Sequence, residues 1–189
     1  MKKDSALTSF SEEEKKILLR LARDTITDRL EKRESLEFTD KRKNLLQRSG
    51  AFVTLHSENG NLRGCIGKMF SEEPLYETII AMAEEAAFDD PRFVPVTLVE
   101  LKDINIEISV LSPLRKITNV SEIKLGIHGV LVRKGSFSGV FLPQVAAETG
   151  WNLEEFMNNL CSGKAGLPED SWKHKSMDIF VFTVEIMSE

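Results

Sequence analysis

The chain has 189 residues, 41% of them hydrophobic and 29% charged, with a formal net charge of −5, two cysteines and three histidines. Those figures exclude wholesale disorder and a disulfide scaffold. No apolar run approaches the roughly 20 residues of a membrane helix, and MKKDSALTSFSEEEKK carries no apolar stretch behind its lysines, so the expected protein is cytoplasmic, with no membrane contact and no signal peptide.

Residues 1–10 read as a flexible segment. A helix is predicted over 11–32, with Ser11 as N-cap and Glu14 three residues on in the capping-box position. Ile17, Leu18, Leu21, Ala22 and Ile26 form its apolar face. Residues 33–49 are polar and give no firm pattern, apart from a short helix around Leu45 and Leu46 ending at Gly50. AFVTLHS then reads as a strand, Asn59-Gly60 as the tip of a tight turn, and the segment from Leu62 to Ile66 as the returning strand of a hairpin. A helix over about 74–88 starts on Pro74 and ends before Pro91, with Leu75, Ile79, Met82, Ala83 and Ala86 on one face. Glu73, Glu77 and Glu84 lie opposite and read as a solvated face.

Residues 104–111 alternate, with Ile104, Ile106, Ile108 and Val110 on one side and Asn105, Glu107 and Ser109 on the other. A second hairpin turns near Lys134-Gly135-Ser136. Two helices follow, about 143–149 and 152–161, and residues 178–186 read as one closing strand. Trp151, Trp172 and Cys161 read as packing residues. Strands and helices mix without a βαβ rhythm. The predicted fold is therefore α+β, a mainly antiparallel sheet flanked by helices, in a single domain of two intimate lobes.

Charge is uneven, at net +3 over residues 1–48 and −8 over the rest. Lys41, Arg42 and Lys43 are the nearest approach to a basic cluster, so nucleic acid is not an expected partner. Cys65 and Cys161 stand 96 residues apart with no CxxC or HxxxH spacing, which gives no metal site. There is no P-loop, Rossmann fingerprint or GxSxG, and no cofactor is expected.

The segment from Leu62 to Gly67 is the most distinctive. On a strand Arg63, Cys65 and Gly67 share a face. A fixed guanidinium about 7 Å from the thiol would stabilise its thiolate by about 0.6 kcal/mol in a water-like dielectric and about 2.4 kcal/mol at an effective dielectric near 20, roughly 0.4 to 1.8 pKa units. Gly64 and Gly67 permit a close approach of backbone or ligand. Three readings stay open for Cys65: a buried inert thiol, a ligand contact, or a catalytic nucleophile aided by His56 or His128. Arg92, behind a rigid proline, and Glu107, on a polar strand face, are the further binding candidates.

Six ordered blocks carry a family resemblance: LRGCIG at 62–67, the run from Ala83 to Phe93, IEISVLSP at 106–113, GIHGV at 126–130, LPQVAAETGW at 142–151 and KAGLPEDSW at 164–172. Together they resemble the AMMECR domain family, named for the Alport syndrome, mental retardation, midface hypoplasia and elliptocytosis chromosomal region. The resemblance implies a two-lobed α+β domain without an established activity, whose candidate site is the hexapeptide, here Leu62 to Gly67. It also implies Memo-type or radical-SAM proteins as associates. The expected function is a binding or accessory module with a cleft around the hexapeptide for a small anion or a protein partner. The alternative is a thiol-dependent enzyme using Cys65.

Overall fold

The computed structural model describes residues 9–34 and 37–189. The fold is α+β, with two four-stranded sheets and helices packed on them. Most of the predicted flexible segment at 1–10 lies outside the described residues. At its end Phe10 is buried, and its N–H donates to the Glu185 carboxylate at 3.2 Å.

Helix α1 (Glu12–Glu31) starts where the capping signal places it. The Glu14 N–H donates to Ser11 Oγ at 3.3 Å, and the Ser11 N–H donates to Glu14 Oε2 at 2.8 Å. This exchange satisfies two donors that the first helical turn leaves unpaired. Ser11→Ala should cost about 1 kcal/mol in denaturant unfolding, with the helix otherwise intact. The polar stretch after α1 holds only a four-residue helix, α2 (Lys43–Leu46). It stops well short of Gly50, because Gln47 is extended and its carbonyl accepts the Leu75 N–H at 2.8 Å.

The first hairpin forms as predicted, from β1 (Ala51–His56) and β2 (Leu62–Lys68), with Gly60 at φ +76° in the turn. Helix α3 (Leu75–Glu84) follows and ends in a π-helical turn at Glu85–Asp89. After the short α4 (Leu98–Leu101), strand β3 (Asn105–Leu111) runs antiparallel to β1. Ala51, Val53 and Leu55 of β1, with Ile106, Ile108 and Val110 of β3, are all fully buried and turn to one face of the sheet. The apolar sides of α1 and α3 cover that face, including Leu18, Ala22, Ile26, Ile79, Met82 and Ala83. The period of two in the strands and 3.6 in the helices thus meet in one core.

The next sheet takes β4 (Arg115–Ile117), β5 (Gly129–Lys134), β6 (Phe137–Phe141) and β7 (Asp178–Phe182), in the order β4-β7-β5-β6. Helices α5 (Pro143–Thr149) and α6 (Leu153–Asn159) lie between β6 and β7, and α6 also ends in a π turn, Leu160–Lys164. Cys161, Trp151 and Trp172 pack in or against this core, as their sequence setting suggests. The closing segment is two strands rather than one. At Thr183 the N–H donates to Ser112 Oγ and the carbonyl accepts the Ser112 N–H, both at 2.9 Å. These bonds take Thr183 out of the ladder, and β8 (Val184–Ser188) joins the first sheet, whose order is β2-β1-β3-β8.

The chain divides into two compact units, Ser112–Val184 and, among the described residues, 9–111 with Glu185–Glu189. Both follow one plan. A hairpin is followed by a helix ending in a π turn, and the next strand pairs with the first strand of the hairpin. In each unit the π turn rests on a glycine of the second hairpin strand. A Cβ on Gly64 would lie 2.2 Å from the Ala86 carbonyl oxygen, and one on Gly139 would lie 2.7 Å from the Ala165 nitrogen. Only hydrogen side chains allow these approaches.

Candidate functional site

The hexapeptide occupies β2, the edge strand of its sheet. Register places Thr54 across from Cys65 and Glu107 on the other side of Thr54. Cys65, Thr54 and Glu107 therefore form a row across three strands, on the sheet face away from α1 and α3. All three are half-buried, and the Thr54 hydroxyl donates to Cys65 Sγ at 3.3 Å. His56 lies two residues along β1 from Thr54 and pairs with Leu62. His128 belongs to the other unit, where its Nδ1 accepts the Lys124 N–H at 3.2 Å.

What holds β2 in place is a carboxylate absent from the sequence prediction. Asp90 is 4% exposed and accepts four hydrogen bonds. Its Oδ2 takes the Cys65 N–H at 2.9 Å and Arg92 Nη2 at 2.7 Å; its Oδ1 takes the Arg92 N–H at 3.1 Å and Nε at 2.9 Å. Arg92 Nη2 also donates to the Cys65 carbonyl at 3.0 Å. Together Asp90 and Arg92 satisfy the main-chain donor and acceptor that Cys65 shows on the open edge, as a neighbouring strand would. Pro91 contributes by keeping Asp90 extended, at φ −70° and ψ 112°. The Arg92 guanidinium and these N–H donors hold the Asp90 carboxyl well below the usual carboxylate range, against the opposing effect of burial.

Arg63 is equally committed. Its Nε and Nη2 form a forked pair with the Glu100 carboxylate, Nη2 donates to the Val94 carbonyl at 2.8 Å, and its guanidinium carbon stands 5.8 Å from the Phe93 ring centre. The pairing with Arg63 lowers the Glu100 pKa. This geometry removes the premise of the electrostatic argument for Cys65. A guanidinium already matched by a carboxylate does not act on the thiol as a free cation. One donor of Arg63, Nη1, is buried without a hydrogen-bond partner among the described residues.

The two glycines have different neighbours. Gly64 faces the core beneath the π turn, so it admits backbone rather than ligand. Gly67 lies on the other face, opposite Phe52, and a Cβ there would fall 2.1 Å from that ring. Thus Cys65, Arg63, Gly67 and Glu107 share one face, Arg92 reaches the strand along its edge, and Gly64 points away. Asp90, Glu100 and Thr54 complete the arrangement and escaped the sequence prediction. Among the described residues no group of three or more metal-ligating side chains occurs, and no helix is long and apolar enough to cross a membrane.

The parallel plan of the two units gives an internal comparison. Aligned on Gly64 and Gly139, the row Cys65–Thr54–Glu107 corresponds to Val140–Leu131–Phe180. The scaffold accepts three apolar side chains at these positions, so folding alone does not demand a thiol, a hydroxyl and a carboxylate there.

A model of the AMMECR1 family matches residues 19–187. A protein of Methanopyrus kandleri is 40% identical over 185 residues, covering 94% of this chain and 89% of that protein. One of Pyrococcus furiosus is 42% identical over 182 residues, covering 91% and 86%. The crystal structure of an uncharacterized protein from Pyrococcus horikoshii superimposes with a TM-score of 0.81 at 39% identity, over 95% of this chain and 93% of that one.

Proposed function

The chain belongs to the AMMECR1 family, and from that premise we propose that it is a binding module that engages a protein segment on the face formed by β2, β1 and β3. Contact is made by Cys65, Thr54 and Glu107, beside Arg63 held on Glu100, while Gly67 makes room for the Phe52 ring. Asp90, Arg92 and Gly64 position the strand. The observation that carries this reading is the polar row Cys65–Thr54–Glu107 where the same plan elsewhere in the chain holds Val140, Leu131 and Phe180.

A protein segment suits the surface better than a small anion, because Asp90 and Glu100 already match the charges of Arg92 and Arg63. What is left over is an acceptor, Glu107, and one buried donor, Arg63 Nη1. An extended peptide supplies the complement to the first, a basic side chain for Glu107, whereas Nη1 is closed off from the face and takes no part in the contact. Memo-type and radical-SAM proteins are the associates that the family resemblance implies.

The test titrates isotope-labelled protein with the tripeptides Gly-Lys-Gly, Gly-Arg-Gly and Gly-Glu-Gly, following amide shifts. The basic peptides should move Thr54, Cys65 and Glu107, and Glu107→Gln should weaken them about fivefold. Equal response to the acidic peptide, or none to any, overturns the reading. Thiol catalysis is the second reading, favoured by the Thr54 hydroxyl on Cys65 Sγ. Iodoacetamide separates the two. Alkylation of Cys65 no faster than a free thiol supports binding, whereas a rate more than about tenfold faster that Thr54→Val abolishes supports catalysis.

A further inference from the structure

The unit Ser112–Val184 carries a cavity of about 380 Å³ where β4 ends and the chain re-enters the sheet at β7. Its charged lining is Lys116, Lys173 and Lys175 against a single acid, Asp178, with His174 beside them. That is a local excess of positive charge in a chain of net −5. Internal pairing does not cancel it. Asp178 is shared between Lys116 Nζ at 2.6 Å and Arg133 Nη2 at 3.6 Å, so one carboxylate serves two cations. Lys173 is paired with Glu154 at 2.7 Å, but Lys175 has no acidic partner among the described residues.

Apart from Thr118, the remaining lining is apolar. Trp172, Val120 and Met177 contribute to it, and the Trp172 indole is fixed by its Nε1 donating to Asn158 Oδ1 at 2.7 Å. A fixed aromatic plane, with Lys173 Nζ 5.0 Å from its ring centre, beside the unpaired Lys175 and the shared Lys116 suits a ligand with a ring at one end and concentrated negative charge at the other. A phosphate monoester carries a charge of about −1.5 to −2 at neutral pH, nearer to what the excess of cations can accept than a single carboxylate. The volume lies toward the lower end of the roughly 300–1,000 Å³ of small-molecule sites.

We propose that this cavity binds a phosphate monoester joined to a planar ring, a ligand of the nucleoside monophosphate class, with Lys175, His174 and Lys116 on the phosphate and Trp172 against the ring. It lies in the unit that lacks the hexapeptide, and it stands or falls independently of the function proposed above.

The experiment titrates isotope-labelled full-length protein with AMP, adenosine and inorganic phosphate, and follows amide shifts at 116–120 and 172–178. AMP is expected to move these residues and to bind more tightly than either fragment. Lys175→Ala, a change at an exposed side chain that leaves the core untouched, should weaken AMP roughly tenfold. No response to AMP at these residues overturns the proposal. Binding of AMP unchanged in Lys175→Ala does so too, as does adenosine or inorganic phosphate binding as tightly as AMP.

Discussion

Gly64→Ala should destabilise the protein by about 3 kcal/mol, near the upper end of overpacking costs. A Cβ at this position would sit 2.2 Å from the Ala86 carbonyl oxygen and 3.2 Å from the Ala86 carbonyl carbon. Both are backbone atoms within the π turn, so no side-chain rotation relieves the clash. Either β2 or the end of α3 has to move, and each is packed on β1. Gly60→Ala is the control. Gly60 has φ +76° and open space around it, so alanine there meets only the left-handed backbone penalty, about 1 kcal/mol. Urea unfolding of the two variants measures the difference. A loss for Gly64→Ala no greater than that for Gly60→Ala would show that the π turn yields freely and does not pin β2.

Asp90→Ala is expected to cost about 3 kcal/mol, the lower end for removing one partner of a buried ion pair, because Arg92 is half-exposed. The substitution orphans the Cys65 N–H and releases Arg92 from the strand edge. Acid should reproduce part of this effect. The folded state holds the Asp90 carboxyl below its ordinary pKa, so the unfolded chain binds that proton more tightly. The stabilisation is complete above the usual carboxylate range, about pH 4 for aspartate. It is lost as the pH falls through that range toward the lower folded value. Asp90→Asn should therefore flatten the acid limb of the stability profile, measured as urea midpoint against pH. An acid limb identical to the wild type would remove Asp90 from this role.

These two variants also bear on the proposed binding face. Gly64, within β2, meets the π turn on the core side, Asp90 holds β2 at its open edge, and neither belongs to the Cys65–Thr54–Glu107 row. Both should disturb that face by releasing β2, in contrast to Glu107→Gln, which changes the face and leaves the strand held.

Local pattern was sufficient for much of the fold. The Ser11–Glu14 box, the alternation at Ile104–Val110 and the Asn59-Gly60 turn each correspond to an observed element. The turn carries more information than the prediction took from it. Counting outward from Asn59 and Gly60 pairs residue 55 with 64 and 54 with 65, which is the observed register, so Thr54 was within reach of sequence reasoning. The irregularity between Leu55 and His56 begins only next to the turn.

The sequence sets which segments become helix or strand and which side of each is buried, because propensity, capping and hydrophobic period act over a few residues. It also marked Leu62 to Gly67 as unusual. What those residues touch is set by long-range pairing. Arg63 meets Glu100 across 37 positions, and Cys65 meets Asp90 across 25. The strand at 178–186 breaks because Thr183 finds Ser112 across 71 positions. Such pairings depend on chain closure over long separations, and no local period encodes which distant carboxylate or hydroxyl arrives. A guanidinium that reads as a free cation in the sequence is in the fold one half of a neutral pair.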